Sequence, residues 1–286
     1  MKKVALITLH GMGITAPDYV NELSQDLARR LGPAFDALHI GAVYYKGLLL
    51  ANEQRVWNSL GRQVRWDGLR QFLLYGFADA AGLESAKMLH GSVYTMAQAR
   101  IARELYLARQ AMRHDGPVVV LAQSLGGHVM SCYFWDAQGE LQGDKANVGI
   151  WQDIQQFRPE ISGAQPLSDA DIGFLRGSSI SHVLTTGCNI PIFVAAHAVQ
   201  QILPMRPNTS FKWTNYYDKD DVLGWPLAEL SEQYRATVTD VPVNAGGGLF
   251  GWIARSWNPL SHLQYWRDDE VLDPLTDTLR GLIDGA

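Results

Sequence analysis

The chain has only two cysteines, Cys132 and Cys188, in 286 residues. That is too few for a disulfide framework, and their surroundings show no metal-ligand spacing, so a reduced, cytoplasmic setting is expected. Long apolar runs are also lacking. None reaches the ~18 residues needed to cross a bilayer, which argues against a membrane-integral protein. Positive charge is in deficit: 24 Lys and Arg stand against 29 Asp and Glu, a net charge of -5. No global basic field exists to hold nucleic acid, so nucleic acid is not an expected partner. Internal repeats, low-complexity tracts and long linkers are absent from the sequence.

With 47% hydrophobic and 19% charged residues, there is ample material for a buried core in a single domain spanning 1–286. Met1-Lys2-Lys3 and the apolar run behind it superficially resemble a signal peptide. The run is only six residues long and no small-residue cleavage site follows, so it reads as a buried strand. Further strands are expected at Ala37 to Tyr45, Pro117 to Leu121, Ser181 to Thr186, Phe211 to Tyr217 and Tyr234 to Thr239. Helices are expected from Pro17 to Leu31, stopped by Gly32-Pro33, and through Ala97, Ile101, Leu105, Ala108 and Met112. Apolar strands alternating with helices predict an α/β fold with a mostly parallel sheet of about six strands, covered on both faces.

Two stretches exceed what a crossover requires. Residues 46–92 are expected to form a helical lid insertion, and residues 139–178 a second insertion; either is able to cover the carboxyl end of the sheet. In the first, Val56, Leu60 and Val64 form a helical row while Arg55, Arg62 and Arg65 gather on another side. That pattern suits an ordinary half-buried helix with a solvated basic face, or an amphipathic lid making peripheral membrane contact.

The chemistry centres on Ala122-Gln123-Ser124-Leu125-Gly126-Gly127, directly after the Val-rich strand. A sharp strand-to-helix turn raises a serine hydroxyl above the strand ends, and it demands small residues two positions to either side. Ala122 and Gly126 meet that demand, which makes Ser124 the candidate nucleophile; the plainer alternative is a helix-capping serine. Attack by serine creates an oxyanion that needs backbone N–H donors already aimed at it. Leu125 is expected to supply one. Met12, in His10-Gly11-Met12-Gly13 after the first strand, is expected to supply the other, with His10 a hydrogen-bonded structural residue. The turn lacks the third glycine and later acid of a dinucleotide fingerprint, so no cofactor is expected.

Of eight histidines, only His262 follows the late strand at Phe211, behind the glycine-rich stretch 246–248. It is the candidate general base. The acid is sought after Tyr217, in Asp218-Lys219-Asp220-Asp221-Val222. Asp220 is chosen because an acid, one residue and a branched apolar residue follow in order; Asp218 and Asp221 remain alternatives.

Together these segments resemble the α/β-hydrolase superfamily, and the His-Gly-Met turn is similar to that of bacterial lipases. The resemblance runs in order from residue 3 to about 266. It implies a Ser-His-Asp triad acting through an acyl-enzyme on a small-molecule ester or thioester, with neither metal nor cofactor. A non-catalytic hydrolase-fold protein that binds a ligand or partner through its lid, and an acyltransferase or amidase using the same triad, are the other classes open. The acyl group and oligomeric state are not legible.

Overall fold

A computed structural model describes residues 1–13, 15–61, 66–139, 148–163, 165–245 and 264–286. Among them six strands form one sheet: β1 (Val4–Leu9), β2 (Leu38–Val43), β3 (Val118–Gln123), β4 (Ile180–Thr186), β5 (Lys212–Asp218) and β6 (Val238–Val243). All pairings are parallel, in the order β2-β1-β3-β4-β5-β6. The helices are α1 (Asn21–Leu31), α2 (Leu50–Leu60), α3 (Asp67–Glu84), α4 (Val93–Met112), α5 (Leu125–Ala137), α6 (Arg158–Ile161), α7 (Asp169–Leu175), α8 (Ile190–Val194), α9 (Glu232–Arg235) and α10 (Asp269–Gly285). No helix among the described residues is long and apolar enough to cross a membrane.

Strands β1 and β3 are buried at every position and almost wholly apolar, because successive side chains enter opposite cores. In β1, Ala5, Ile7 and Leu9 face one cluster, while Val4 and Leu6 face the other. In β3, Val118, Val120 and Ala122 oppose Val119 and Leu121 in the same way. The first core is closed by Ala97, Ile101, Leu105 and Ala108 of α4 with Val129 and Tyr133 of α5. Leu23, Leu27 and Leu31 of α1, with Val271, Leu275 and Leu279 of α10, close the second. Both helical rows follow the three-to-four-residue spacing of a single buried face. An α/β fold with a six-stranded, all-parallel sheet flanked by helices is thus the architecture, consistent with an α/β-hydrolase fold.

Several expected boundaries shift. The last strand lies at Val238–Val243 rather than Tyr234 to Thr239, because the Ser231 hydroxyl accepts from the Tyr234 N–H and caps the short helix α9. Pro242 is tolerated in β6 because that strand is an edge of the sheet. The first helix begins at Asn21, with residues 17–20 forming a turn. In α2 Val56 and Trp57 are half-buried and Arg55 is exposed, as the apolar row suggested, but the fully buried position on that face is Glu53, and Leu60 at the helix end is 54% exposed. Arg62, Val64 and Arg65 lie outside the described residues.

Of the expected second insertion, residues 148–163 and 165–178 run down the flank of α4, and 140–147 lie outside the described residues. The Ile150 N–H bonds to Gln98, Arg103 to the Glu160 carbonyl, and Arg109 to Asp171, in order along the helix. Ile150, Trp151, Ile154 and Phe157 are thereby part of the first core. By contrast α3 stands over the turn after β1, with the Met12 thioether packed against Gly76. The chain leaves β1 for β2 on one side and later for β3 on the other. The carboxyl ends of β1 and β3 are therefore the topological switch point of the sheet, the position at which open α/β sheets generally bind ligands.

Candidate active site

β3 ends at Gln123 and α5 begins at Leu125, so the reversal between them falls on Ser124, at φ 52° and ψ -122°. A non-glycine residue held there costs about 1–3 kcal/mol and persists only where its surroundings over-determine it. Here they do. The Ser124 N–H donates to the Thr186 carbonyl at 2.9 Å, and its own carbonyl accepts from the Gly127 N–H at 2.9 Å. A Cβ at Gly126 would stand 2.5 Å from the His10 carbonyl oxygen, and one at Gly11 would stand 3.0 Å from the Ser124 Cβ. At Gly127 it would meet the Cys188 thiol at 2.8 Å. The turns after β1 and β3 therefore touch backbone to backbone. Ser124 is fully buried, and its hydroxyl makes no hydrogen bond with any described residue.

The turn after β1 is held from behind by charge. The Lys46 ammonium is fully buried and pairs with Glu53 at 2.6 Å and Asp79 at 2.7 Å. The second Asp79 oxygen accepts from the Gly13 N–H at 3.0 Å. One ammonium thus serves two carboxylates in a dry place. Burial, with Asp79 alongside, pushes Glu53 up to about 7 against the pull of Lys46. His10 stacks on Tyr45, whose hydroxyl donates to the His10 carbonyl at 2.6 Å. Its Nε2 faces the Lys46 N–H at 3.4 Å, which assigns the ring proton to Nδ1, donating to the Gly11 carbonyl at 2.8 Å. Burial lowers the His10 pKa to about 4, so a neutral ring orders the turn.

The acidic loop after β5 is built differently. Asp218 is buried and accepts from the Asp220 N–H at 2.8 Å; its burial raises its pKa. Asp220 itself is exposed. Asp221 is buried; it accepts from the Leu223 N–H at 2.9 Å and from the Tyr265 hydroxyl at 2.9 Å. Tyr265 also receives the Asp218 N–H at 2.9 Å, so one phenol ties both acids to the chain that resumes at residue 264. The neighbouring Trp266 donates to the Thr186 hydroxyl at 3.1 Å, and the carbonyl of Thr186 receives the Ser124 N–H. A continuous set of contacts therefore joins the serine turn to the acidic loop.

A third cluster lies along α5. His128 Nε2 is 2.5 Å from Glu84 Oε1 and 3.5 Å from the Cys132 thiol, and its ring stacks on Phe193 at 3.8 Å. The second Glu84 oxygen pairs with Lys87 at 2.8 Å.

Of the residues expected to do chemistry, Ser124 and Leu125 sit at the junction of β3 and α5, and Met12 sits in the turn after β1 that lies against it. Asp220 stands in the acidic loop but faces solvent, and His262 lies outside the described residues. Sequence reasoning missed Lys46, Glu53, Asp79 and Tyr265. Asp79 carried a usable signal, as the sole charge between Arg70 and Glu84 in an otherwise apolar helix. Cys132 follows His128 by four residues, a spacing that sets both on one helical face.

No protein-family model matches the chain, and no curated protein matches it significantly. Among solved structures, RedJ with a PEG molecule bound in its active site is similar over 97% of this chain and 90% of that one, at 12% identity. The TM-score is 0.37, a likeness that carries no argument about activity. The fold class rests on this chain's own sheet order and parallel pairing.

Proposed function

We propose that the protein is a serine hydrolase that cleaves an ester or thioester through an acyl-enzyme formed on Ser124. The observation that carries this reading is a buried, unpartnered hydroxyl on a residue held at positive φ between a parallel strand and a helix. Maintaining that strain and that unsatisfied group works against stability, which is expected of a site shaped for reaction rather than folding. In this reading His262 takes the serine proton and returns it to the leaving group. It stands three positions before Tyr265, which is at most about 10 Å of chain, and Tyr265 is bonded to Asp221.

Asp221 is the better orienting acid than Asp220. A carboxylate that must hold an imidazole tautomer acts most strongly where it is desolvated and fixed, as Asp221 is, whereas Asp220 is hydrated. Leu125 opens α5, so its N–H has no partner within the helix and is available to a developing oxyanion. Met12 contributes the facing N–H, in a turn tensioned by Asp79. Leu73 and Phe77 stand 40% and 69% exposed one turn apart on α3, with Trp66 76% exposed just before it, which favours an apolar acyl group or a lipid-like surface near the turn after β1. Two free thiols accord with a cytoplasmic setting.

The test is labelling with a fluorophosphonate probe, together with hydrolysis of p-nitrophenyl esters of graded chain length. Native protein is expected to be labelled on Ser124, and Ser124→Ala to lose both labelling and at least ~10³–10⁴-fold of turnover. Equal hydrolysis by wild type and Ser124→Ala would overturn the reading.

A further inference from the structure

We infer that Glu84, His128 and Cys132 form a site for a borderline-soft divalent cation of the Zn²⁺ class, with its fourth coordination position open to a neighbouring cavity. The three donor atoms, Oε1, Nε2 and Sγ, all lie within 4.8 Å of one another. They are an oxygen, a nitrogen and a sulfur, the mixed donor set that Zn²⁺ accepts and that Mg²⁺ and Ca²⁺ do not favour. His128 and Cys132 are one helical turn apart on α5, so both ligands issue from one rigid face. Glu84 closes the site from the end of α3.

The separations support the assignment. Tetrahedral Zn²⁺ with bonds of about 2.3 Å to sulfur and about 2.0–2.2 Å to nitrogen and oxygen needs donors about 3.3–3.6 Å apart. The Sγ to Nε2 separation is 3.5 Å, already in that range, and Sγ to Glu84 Oε1 is 4.0 Å. Only the 2.5 Å contact between His128 and Glu84 must open, by about 1 Å. Glu84 is able to make that movement, because its side chain is 37% exposed. Lys87 grips the other carboxylate oxygen, which leaves Oε1 directed at His128 and Cys132. The fourth direction opens on a cavity of about 550 Å³, lined also by Tyr94, Phe193 and Ile202, where water or a small ligand has room to complete the coordination. On binding, the thiol and the imidazole each yield any proton they hold to solvent and the cation takes its place.

The site is separate from the proposed hydrolase centre and its test is independent of activity. Full-length protein stripped with a chelator is titrated with Co²⁺, an optical stand-in for Zn²⁺. One equivalent is expected to bind and to give a thiolate-to-cobalt charge-transfer absorption that Zn²⁺ then abolishes. Cys188 is fully buried and burial holds its thiol up to about 12, so the absorption reports on Cys132. Cys132→Ser is expected to remove the band and to weaken Zn²⁺ binding about 100-fold or more, while Ser124→Ala leaves both unchanged. As a second measurement on unaltered protein, Zn²⁺ is expected to slow alkylation of Cys132. Absence of the thiolate band, or alkylation at the same rate with and without Zn²⁺, would overturn the inference.

Discussion

The turn after β3 and the loop after β5 stand at the same end of one sheet, two strands apart, and are constructed by opposite means. At Ser124 the geometry comes from backbone lying against backbone. Gly11, Gly126 and Gly127 leave no room for a side chain, and the strained residue is held by two main-chain hydrogen bonds. Around Asp218 and Asp221 the geometry comes from side chains: a tyrosine hydroxyl and two amides satisfy the carboxylates, and a neighbouring aspartate is left in water. A close-packed turn tolerates almost no substitution and so announces itself through small residues at fixed spacing. A hydrogen-bonded loop offers several chemically equivalent acids, and only burial distinguishes them.

The largest expected effect tests that distinction directly. Asp221→Asn is expected to lower ester turnover by about 10³–10⁴-fold, in line with the loss when a triad acid no longer holds its histidine, while Asp220→Asn stays within a few-fold. Steady-state kinetics on both variants decides the matter; the opposite ranking returns the role to Asp220. Next in size is the charge behind the serine side. Asp79→Ala strips a fully buried ammonium of one partner and frees the Gly13 N–H. It is expected to cost about 3–5 kcal/mol in urea unfolding.

Gly126→Ala forces a methyl group towards the His10 carbonyl, a main-chain atom with little freedom to retreat. About 1–3 kcal/mol of destabilisation is expected, whereas Gly224→Ala meets the Asp221 carboxylate at 2.6 Å and should lower activity as well as stability. A Gly126→Ala variant as stable as wild type in thermal unfolding would erase the contrast between the two loops.

The smallest effect concerns pH. Glu53 titrates near 7 in the folded protein against 4.5 as its ordinary value, so the folded state retains the proton longer. Its favourable contribution is complete below about pH 4.5 and disappears as pH rises through 7. Glu53→Gln is therefore expected to flatten the decline in unfolding free energy between about pH 4.5 and 7. An unchanged slope would place the titrating proton elsewhere.

Much of the fold was legible because burial on both faces writes an uninterrupted apolar run. β1, β3, β4 and β5 were each found within a residue or two at their carboxyl ends. The edge strand β6 was misplaced by four residues because one face of it meets solvent and Pro242 interrupts its propensity. The burial of Glu53 on the apolar side of α2 was missed for a related reason. Periodicity assumes that apolar side chains turn inward, yet here the inward position belongs to Glu53, matched by a lysine and an aspartate from other elements. Nothing local reveals such a match.

Ser124, its flanking small residues and the order of strands and helices followed from sequence alone, since steric demand within a few residues of chain leaves a local record. Which aspartate is buried, which charges meet behind the turn after β1, and that a glutamate from α3 joins a histidine and a cysteine on α5 were decided only in three dimensions. Each depends on at least one partner 33 or more residues away, and the free energy of a buried polar group is set by what it touches rather than by what precedes it in the chain.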